Sequence, residues 1–377
     1  MTSNKSNWPT VKFEKIAQNV SKRVDPTKVD TDIYVGLEHL DPSTIHLREW
    51  GHPSDVKGQK LAFKKGDVIF GRRRAYQRKL AVAEFDGICS AHAMVLRAKP
   101  EMILPEFLPF FLQSDMFMER AIEISVGSLS PTINWKTMRI QEFPLPPIDE
   151  QKRIAEILWA ADEAVEKWTQ CKEDLNKLIE TTISNTAKDT EVKNWEMKPL
   201  SEIANVSRGK FSHRPRNLSH FYGGPYPFAQ TGDVQRAYGF IEEFDYTLTE
   251  EGKKYSKSFP SGTILITIAA VIGATAITKF ETWATDSVVG IIPNKELNVY
   301  FLEYFLRTKR HYLENIAATQ TAQKNINLKT LNPLKVPVPP LEVQTGIIEQ
   351  ISEIQSRVEE VEKQIQKSRG IIKAFTN

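Results

Sequence analysis

The feature that most constrains the fold is a proline-rich junction that occurs twice, 193 residues apart. The first copy reads FPLPPIDEQKRIAEIL at 143–158, and the second reads VPVPPLEVQTGIIEQI at 336–351. An alternating proline segment is extended and stiff. Proline is also tolerated in the first turn of a helix, because the N–H groups there have no intrahelical partner. Each junction therefore predicts an extended strap that leads directly into a helix.

The similarity between the two copies extends upstream of the junctions, which predicts an internal duplication of the whole chain. Each copy is expected to consist of a mixed globular part followed by one helix. The matching pairs are INWKTM (133–138) with INLKTL (326–331), FLPFFL (107–112) with FLEYFL (301–306), and KKGDVIF (64–70) with PSGTILI (260–266).

Both predicted helices carry apolar residues at the 4-3 spacing of a coiled-coil seam. Lys172 interrupts the seam in the first copy, and Ser368 interrupts it in the second. One such seam alone would indicate a helix packed on its own domain. Two equal seams, each ending its copy, favour antiparallel pairing with each other. The seam residues are Ile154, Leu158, Ala161, Val165, Trp168, Leu175 and Ile179, then Ile347, Ile351, Ile354, Val358, Val361, Ile365 and Ile372.

The remaining sequence places the chain in the α+β class. Segments such as VIFGRRRAY (68–76) are β-branched or alternating and bounded by turn residues, which indicates strands. We expect two mixed α/β domains joined by two long helices that form an antiparallel coiled coil, the halves being related by a pseudo-twofold axis. The expected boundaries are 1–147 and 189–340 for the domains, and 148–188 and 341–377 for the helices.

The charge is segregated along the chain although the net charge is only +3. Residues 57–80 hold nine Lys or Arg against one Asp, and 207–216 hold four Lys or Arg and no acid. Such a run is usually a solvated face, but so few acids favour binding to DNA phosphates. The candidate contacts are Lys57, Lys60, Lys64, Lys65, Arg72, Arg73, Arg74, Tyr76, Arg78 and Lys79 in the first run, and Arg208, Lys210, Arg214 and Arg216 in the second.

A polar loop precedes each junction, at 127–136 and at 320–329. Asn and Gln are suited to adenine edges and basic side chains to guanine or phosphate. Asn134 and Asn327 are equally suited to capping local turns, so both readings stay open for them. The candidate DNA-binding residues here are Asn134, Lys136, Gln320, Lys324, Asn325, Asn327 and Lys329.

The sequence contains no recognisable catalytic motif. The phosphate-cradling Gly-x-x-x-x-Gly-Lys-Ser/Thr pattern and an Asn-Pro-Pro-Tyr-type tetrapeptide are both missing, and the seven histidines form no metal-binding cluster. Two widely spaced cysteines, with no signal peptide and no bilayer-length apolar run, indicate a reducing cytoplasm. We therefore expect no catalytic site, no metal site and no membrane association.

These features together resemble the specificity subunit of type I restriction–modification systems. A Pro-Leu-Pro-Pro-x-x-Glu-Gln junction is typical of that family; it stands here as PLPPIDEQ (144–151) and as PVPPLEVQ (337–344), where Val343 replaces the Glu. PYPFAQTGDVQ (225–235) resembles the opening strand of a target recognition domain, and IYVGLEHLD (33–41) is a looser counterpart. The resemblance covers essentially the whole chain.

The resemblance implies a non-catalytic subunit whose two target recognition domains read the halves of a bipartite, asymmetric site in double-stranded DNA. It also implies that the helices set the spacer and dock two methyltransferase subunits, with restriction or motor subunits beside them. S-adenosylmethionine, ATP and Mg²⁺ would then be bound by partner subunits and none by this chain. The alternatives are a stand-alone DNA-modifying enzyme with unrecognised motifs, and a coiled-coil adaptor with no nucleic-acid role.

Overall fold

The duplicated sequence folds into two compact units in the computed structural model. The structure describes residues 8–193, 195–237, 239–320 and 325–376, apart from the side chains of 186–193 and 317–320. Unit 1 comprises Met1–Thr169 and Glu362–Asn377, and unit 2 comprises Gln170–Val361. Each unit thus contains one globular part, the beginning of one long helix and the end of the other. The four segment boundaries expected from the sequence stay a prediction.

Unit 1 and its long helix contain ten short strands and five α-helices among the described residues. The strands are β1 (Thr10–Lys12), β2 (Ala17–Val20), β3 (Arg23–Val24), β4 (Tyr34–Val35), β5 (Lys60–Phe63), β6 (Val68–Phe70), β7 (Leu80–Val82), β8 (Gly87–Cys89), β9 (Met94–Ala98) and β10 (Glu142–Pro144). The helices are α1 (Phe13–Ile16), α2 (Leu108–Gln113), α3 (Asp115–Glu123), α4 (Trp135–Met138) and the long α5 (Ile148–Lys193).

The remaining described elements belong to unit 2, except for the end of the long helix α12, which lies in unit 1. The strands are β11 (Glu196–Pro199), β12 (Ala204–Arg208), β13 (Tyr222–Ala229), β14 (Gly239–Ile241), β15 (Tyr246–Leu248), β16 (Lys257–Phe259), β17 (Ile264–Ala269), β18 (Val271–Thr278), β19 (Thr282–Ala284), β20 (Val288–Pro293) and β21 (Lys335–Val338). The helices are α6 (Leu200–Ile203), α7 (Thr231–Arg236), α8 (Glu250–Lys253), α9 (Val299–Thr308), α10 (Arg310–Gln320), α11 (Leu328–Leu331) and α12 (Leu341–Thr376).

The sheet topology of the two units shows the duplication directly. The order β2-β9-β6-β7 in unit 1 corresponds to β12-β20-β17-β18 in unit 2, which adds β14 at its edge. In the second sheet, β5-β8-β4 corresponds to β16-β19-β13, and in both units the pairing with the last of these strands is parallel. The counterpart relation predicted between IYVGLEHLD and PYPFAQTGDVQ is therefore confirmed, because these segments contain β4 and the end of β13.

The long helices pack on each other in opposite directions. In unit 1, Ile372 near the end of α12 packs against the cluster that contains Leu158 near the start of α5. In unit 2, Ile183 towards the end of α5 shares a cluster with Ile351 near the start of α12. The end of one helix meets the beginning of the other in both units, as an antiparallel coiled coil requires, and the predicted fold class is confirmed.

Burial along the two helices follows the predicted seam with one exception. Trp168 is 37% exposed, whereas the other thirteen seam positions are buried or half-buried. The interrupting Lys172 is half-buried, and Ser368 is 9% exposed. The seam also continues past its last predicted position in the first helix, Ile179, since Ile183 is 1% exposed. The helix α5 itself extends to Lys193, beyond the expected end at 188.

A buried glutamine fixes each junction in the same way. The Gln151 side chain is fully buried; its Oε1 accepts from the Leu104 N–H (2.9 Å), and its Nε2 donates to the Met102 (2.9 Å) and Pro146 (2.8 Å) carbonyls. Gln344 is equally buried, with the Asn298 N–H at 2.7 Å and the Glu296 and Pro339 carbonyls at 2.9 and 2.8 Å.

The glutamine contacts explain why the junction tolerates Val343 in place of the family's Glu. Glu150, at the matching position, forms an i,i+3 ion pair with Arg153, and such a surface pair adds little stability. The straps themselves are strands, β10 paired with β1 and β21 paired with β11. Each strap is therefore held by a strand partner on one side and by the glutamine at the start of the helix.

A histidine links the sheet region of unit 1 to α5. His46 Nδ1 lies 2.7 Å from Glu84 Oε1, and its Nε2 lies 2.7 Å from Asp162 Oδ2 on the helix. The hydrogen bond with Asp162 and then that with Glu84 raise the pKa of His46 above its ordinary value, against the opposing effect of burial. Next to it, Arg48 forms an ion pair with Glu166.

We predict that Gln151→Ala and Gln344→Ala each lower the free energy of unfolding by about 2–4 kcal/mol. Each substitution leaves buried backbone N–H and C=O groups without hydrogen-bond partners, which is costly. Hydrogen exchange can test each unit separately: the Leu104 amide should exchange faster in the first variant and the Asn298 amide in the second. Gln366→Ala is the matched control, since this glutamine on α12 is exposed and its side chain donates a hydrogen bond to the Glu362 side chain rather than to buried backbone. Unchanged protection of these amides would contradict the proposed role.

We also predict that unit 1 loses stability as the pH rises from below 6.5 through the raised folded-state pKa of His46. A folded-state pKa above the unfolded value adds stability that is complete at low pH and lost once the folded histidine deprotonates. Thermal melts of the wild type and His46→Gln over this range measure the effect. The difference between the two proteins should shrink with rising pH; a constant difference would exclude the charged histidine.

Candidate nucleic-acid interface

Three consecutive arginines form a turn directly after β6. Arg74 adopts a left-handed conformation with φ 58°. The polar loop at 127–133 packs along this turn: the Ile133 N–H donates to the Arg72 carbonyl (2.9 Å), and the Arg74 N–H donates to the Pro131 carbonyl (2.7 Å). The structure therefore brings together the arginine run and the polar loop, which the sequence identified separately.

The arginines of this turn lack the carboxylate partners that most arginines of the chain have. Twelve of the eighteen lie within 4.0 Å of an Asp or Glu oxygen. Five of the other six are in unit 1, and four of these, Arg23, Arg72, Arg73 and Arg74, belong to its globular part. Surfaces normally mix charges of both signs, so the lack of an ion-pair partner for these four residues, within the described part of the chain, makes their surface a candidate for anion binding.

Arg72 and Arg23 line a cleft of about 360 Å³ together with His92, Asn19 and Gln59. None of the residues that line this cleft carries a carboxylate. The Arg72 Nη2 donates to the Ala91 carbonyl (3.1 Å), while its Nε is buried without a hydrogen-bond partner among the described residues. A buried guanidinium nitrogen without a partner is costly, and an anion in the cleft can compensate for it by binding the same group.

A second cleft of about 410 Å³ lies on the other side of the arginine turn. Arg73, Arg74, Lys79 and His92 line it, together with Glu38 as its one acid. His92 lines both clefts, so the two form one continuous surface. We call Arg23, Arg72, Arg73, Arg74, Lys79 and His92 the unit 1 basic surface. Sequence reasoning missed Arg23 and His92, because each stands alone in the sequence and only the strand order brings it to the turn.

Several candidates from the first basic run form hydrogen bonds or ion pairs within unit 1. Lys60 is 9% exposed, and its Nζ donates to the Lys57 (2.5 Å) and Gly58 (3.2 Å) carbonyls. Arg78 forms an ion pair with Asp115 at 2.5 Å. Lys79 donates to the Leu37 carbonyl (2.8 Å) at the rim of the second cleft. The exposed members of the run that line neither cleft are Lys57, Lys64, Lys65 and Tyr76.

Two arginines of the second basic run have a carboxylate partner that comes from outside their own segment. Asp286, which follows β19, pairs with Arg216 (2.5 Å) and Arg214 (3.6 Å). Arg208 donates to the Asp286 backbone carbonyl. Only Lys210 of this run is exposed without a described partner. These contacts favour a structural role for the arginines at 207–216, and their DNA-binding role stays a prediction.

The two equivalent asparagines before the junctions behave differently. Asn327 caps α11, its side chain accepting from the Lys329 N–H at 2.8 Å. Asn134 precedes α4 without a side-chain capping bond and is exposed. Asn134 is therefore available to a ligand, as are the exposed side chains of Lys136, Asn325 and Lys329. Lys324 and the side chain of Gln320 lie outside the described residues.

No group of three or more His, Cys, Asp or Glu side chains that could hold a metal ion occurs within 8–193, 195–237, 239–320 and 325–376. In the same ranges, no helix has the length and apolar character needed to cross a membrane. Cys89 is fully buried, and burial raises the pKa of its thiol to about 12, so it is protonated and inaccessible as a nucleophile.

Comparison with known proteins agrees with this geometry. The family model described as "Type I restriction modification DNA specificity domain" matches residues 52–177 and 192–368, once for each copy. The HindI specificity subunit of a type I restriction enzyme from Haemophilus influenzae is 22% identical, over 90% of this chain and 91% of that protein. The putative MjaX specificity subunit from Methanocaldococcus jannaschii is 25% identical, over 92% and 85%.

Solved structures show the same fold over nearly the full length. A chain from a study of complex assembly and conformational transition of the type I system superposes with a TM-score of 0.61 at 23% identity, covering 98% of this chain and 96% of that one. The type I S subunit from M. genitalium superposes with a TM-score of 0.56 at 16% identity, covering 100% and 96%. With both copies matched by the family model, this chain belongs to the type I restriction–modification DNA specificity family.

Proposed function

We propose that this chain selects DNA for a type I restriction–modification complex by reading two separate half-sites, one with each unit. The observation that carries the proposal is the unit 1 basic surface, where four of the six arginines without a carboxylate partner come together around two clefts. Neutralising phosphates releases the counterions condensed on DNA, which is a large source of affinity. A surface of unpaired guanidinium groups is suited to this role.

The catalytic steps belong to other subunits in this proposal. Specificity subunits of type I systems are non-catalytic and work with methyltransferase and restriction subunits. We expect two methyltransferase subunits, which bind S-adenosylmethionine, and motor subunits, which use ATP and Mg²⁺. The chain's own contribution is to hold double-stranded DNA in register for methyl transfer.

The long helices are expected to set the distance between the half-sites. The two recognition parts have the same topology but different loops, so the half-sites should differ in sequence and the whole site should not be palindromic. Readers on one face of B-DNA are separated by about one turn, roughly 34 Å. Helices of 46 and 36 residues are long enough at about 1.5 Å per residue to span that distance.

The two alternative functions make different predictions from this one. A coiled-coil adaptor has no reason to keep four arginines without ion-pair partners on one surface, and it would show no salt-dependent DNA binding. A stand-alone modifying enzyme would methylate or cleave DNA without partners. Incubating the highly purified chain with DNA and S-adenosylmethionine separates the second alternative from our proposal, which expects no methyl transfer.

We predict that replacing Arg72, Arg73 and Arg74 together with Ala flattens the plot of log K against log salt by roughly 3 units, because each phosphate contact contributes about 0.9 to the slope. The measurement is a DNA-binding titration over a range of salt concentrations. The matched control replaces Arg120, Arg139 and Arg153, which are also on unit 1 but are paired with Glu123, Glu14 and Glu150.

Both triple variants remove the same net charge, so a general electrostatic effect would change both slopes equally. A flattened slope in the first variant alone supports phosphate contacts at the turn. If the first variant retains the wild-type slope, the arginine turn is a solvated face and the proposed contact is wrong.

We predict that inserting four residues after Asn176 in α5 lengthens the unread spacer by about one or two base pairs, because four residues add about one helical turn, or roughly 6 Å. Both half-site sequences should stay the same. Methylation mapping of host DNA measures the spacer and the half-sites together. The control is the same insertion after Gly262, in a turn with open space around it, which should leave the spacer unchanged. A fixed spacer with altered half-sites would refute the helices as a ruler.

A further inference from the structure

Unit 2 has a cleft beside the turn that is equivalent to the arginine turn of unit 1. β17 corresponds to β6, and the residue in the turn after it, Ala270, has φ 63°, close to the 58° of Arg74. The polar loop before each junction docks there in the same way: the Ile326 N–H donates to the Ile268 carbonyl (3.0 Å) as Ile133 does to Arg72. The backbone of this turn is therefore shared by the two units.

The side chains on that shared backbone are different. Ile268, Ala269 and Ala270 stand where unit 1 has Arg72, Arg73 and Arg74. Ile268 is buried, whereas Ala270 is exposed. The unit 2 turn therefore offers no charge to a phosphate, and it presents a small apolar side chain at the place where unit 1 presents a guanidinium.

Polar groups reach the unit 2 cleft from two helices. The cleft, of about 410 Å³, is lined by Gln235 of α7 and by Arg310, His311, Glu314 and Asn315 of α10. Asp233 fixes the start of α7 by accepting from the Gln230 N–H (2.7 Å). Gln235 lies about one helical turn after this start, and its side chain is exposed. α7 follows β13, just as the short helical turn Leu37–His39 at the unit 1 cleft follows β4.

A glycine sets the position of α10 beside the turn. Gly273 in β18 has φ 74°, and a Cβ built there would lie 3.0 Å from the Cα of Arg310. The first residue of α10 thus packs directly on the strand backbone. Leu313 anchors the helix in the core, since it is fully buried, and Asn315 is exposed towards the cleft.

The charge in this cleft is balanced. Arg310 Nε lies 3.0 Å from Glu314 Oε1, so the guanidinium already has a carboxylate partner. The one arginine that lines this cleft is therefore neutralised, unlike Arg73 and Arg74 in unit 1, whereas base edges are neutral and offer both donors and acceptors. The cleft therefore has the chemistry of base reading instead of the phosphate binding assigned to the unit 1 basic surface.

We propose that Gln235 and Asn315 read an A·T base pair in the second half-site of the DNA. Asn and Gln amides pair with adenine N6 and N7, and a small apolar side chain such as that of Ala270 contacts the thymine methyl group; one A·T pair presents both in the major groove. This inference rests on the proposed DNA-reading function and identifies which residues of unit 2 carry it out.

The first step of the test is to map, on host DNA, the site that is methylated by the wild-type chain in complex with its methyltransferase subunits. Each adenine of the second half-site is then replaced singly with 7-deazaadenine, which lacks the N7 acceptor. At one position the wild type should lose affinity about tenfold, the size expected for one bidentate base contact. Gln235→Ala and Asn315→Ala should show a similar loss on normal DNA, and at least one of them should show no further loss on the modified DNA.

Two controls separate base reading from other effects. The salt slope of Gln235→Ala and Asn315→Ala should equal that of the wild type, because no phosphate contact is removed. Gln366→Ala, an exposed glutamine of α12, should bind as the wild type does. Both replaced positions are exposed and helical, where Ala is well tolerated. The 7-deazaadenine series uses the wild-type protein, so its result does not depend on the folding of a variant.

The outcomes distinguish this inference from the proposed function. If the wild-type complex binds no bipartite site, the proposed function fails. If it binds one but every 7-deazaadenine substitution and both variants leave affinity unchanged, or if the second half-site contains no A·T pair, only the inference about unit 2 is overturned. A reduced salt slope in the variants would likewise overturn it, since that result would indicate phosphate contacts.

Discussion

The hydrogen bonds of Gln151 and Gln344 are the contacts on which the arrangement of each unit depends. Each amide joins three parts of the chain that are distant in sequence or would otherwise move separately: the segment before α2 or α9, the proline strap, and the first turn of the long helix. All three partners of each side chain are backbone groups, so the contact constrains the course of the chain itself and is independent of the neighbouring side chains. This is why the second junction keeps its geometry although Val343 replaces an acid and several other positions have changed.

Features that depend on local sequence could be predicted, and features that depend on distant partners could not. The straps, the two helices, the seam and the duplication follow from periodicity and spacing, which are present in short stretches of sequence. The role of Asp286 could not be anticipated, because it lies 70 residues from Arg216 and only the strand order brings them together. His46 and Asp162 are 116 residues apart for the same reason. Lys60 and Arg78 both belong to a basic run, yet Lys60 donates to the Lys57 carbonyl and Arg78 forms an ion pair with Asp115. Charge density alone therefore could not separate the arginines that lack a carboxylate partner from the basic side chains that hold local structure, and the DNA contacts of the region stay a prediction.

Duplication followed by divergence explains how one backbone provides two different surfaces. The turn after β6 or β17 keeps its left-handed residue and the docking of its polar loop in both units, although Arg74 and Ala270 are not glycines. A non-glycine residue in this conformation is held at some energetic cost, so the surrounding contacts must determine the turn independently of the side chain. The side chains on the turn are then free to change without loss of the fold. Three arginines in one unit and an Ile-Ala-Ala sequence in the other are the result.

The proposed division of chemistry between the two units has a consequence for how DNA would be recognised. Attraction between the unit 1 basic surface and phosphates acts over roughly 10 Å at 0.1 M salt, whereas hydrogen bonds from amides form only in direct contact with a base edge. In the proposed function, unit 1 therefore increases the rate of encounter with any DNA and holds it loosely, while the cleft of unit 2 adds affinity only when the correct base pair is present. If the unit 2 turn also carried three unpaired arginines, non-specific binding would rise with the number of phosphate contacts and the ratio of specific to non-specific affinity would fall. An asymmetric pair of readers keeps fast association and limits the affinity for DNA that lacks the second half-site.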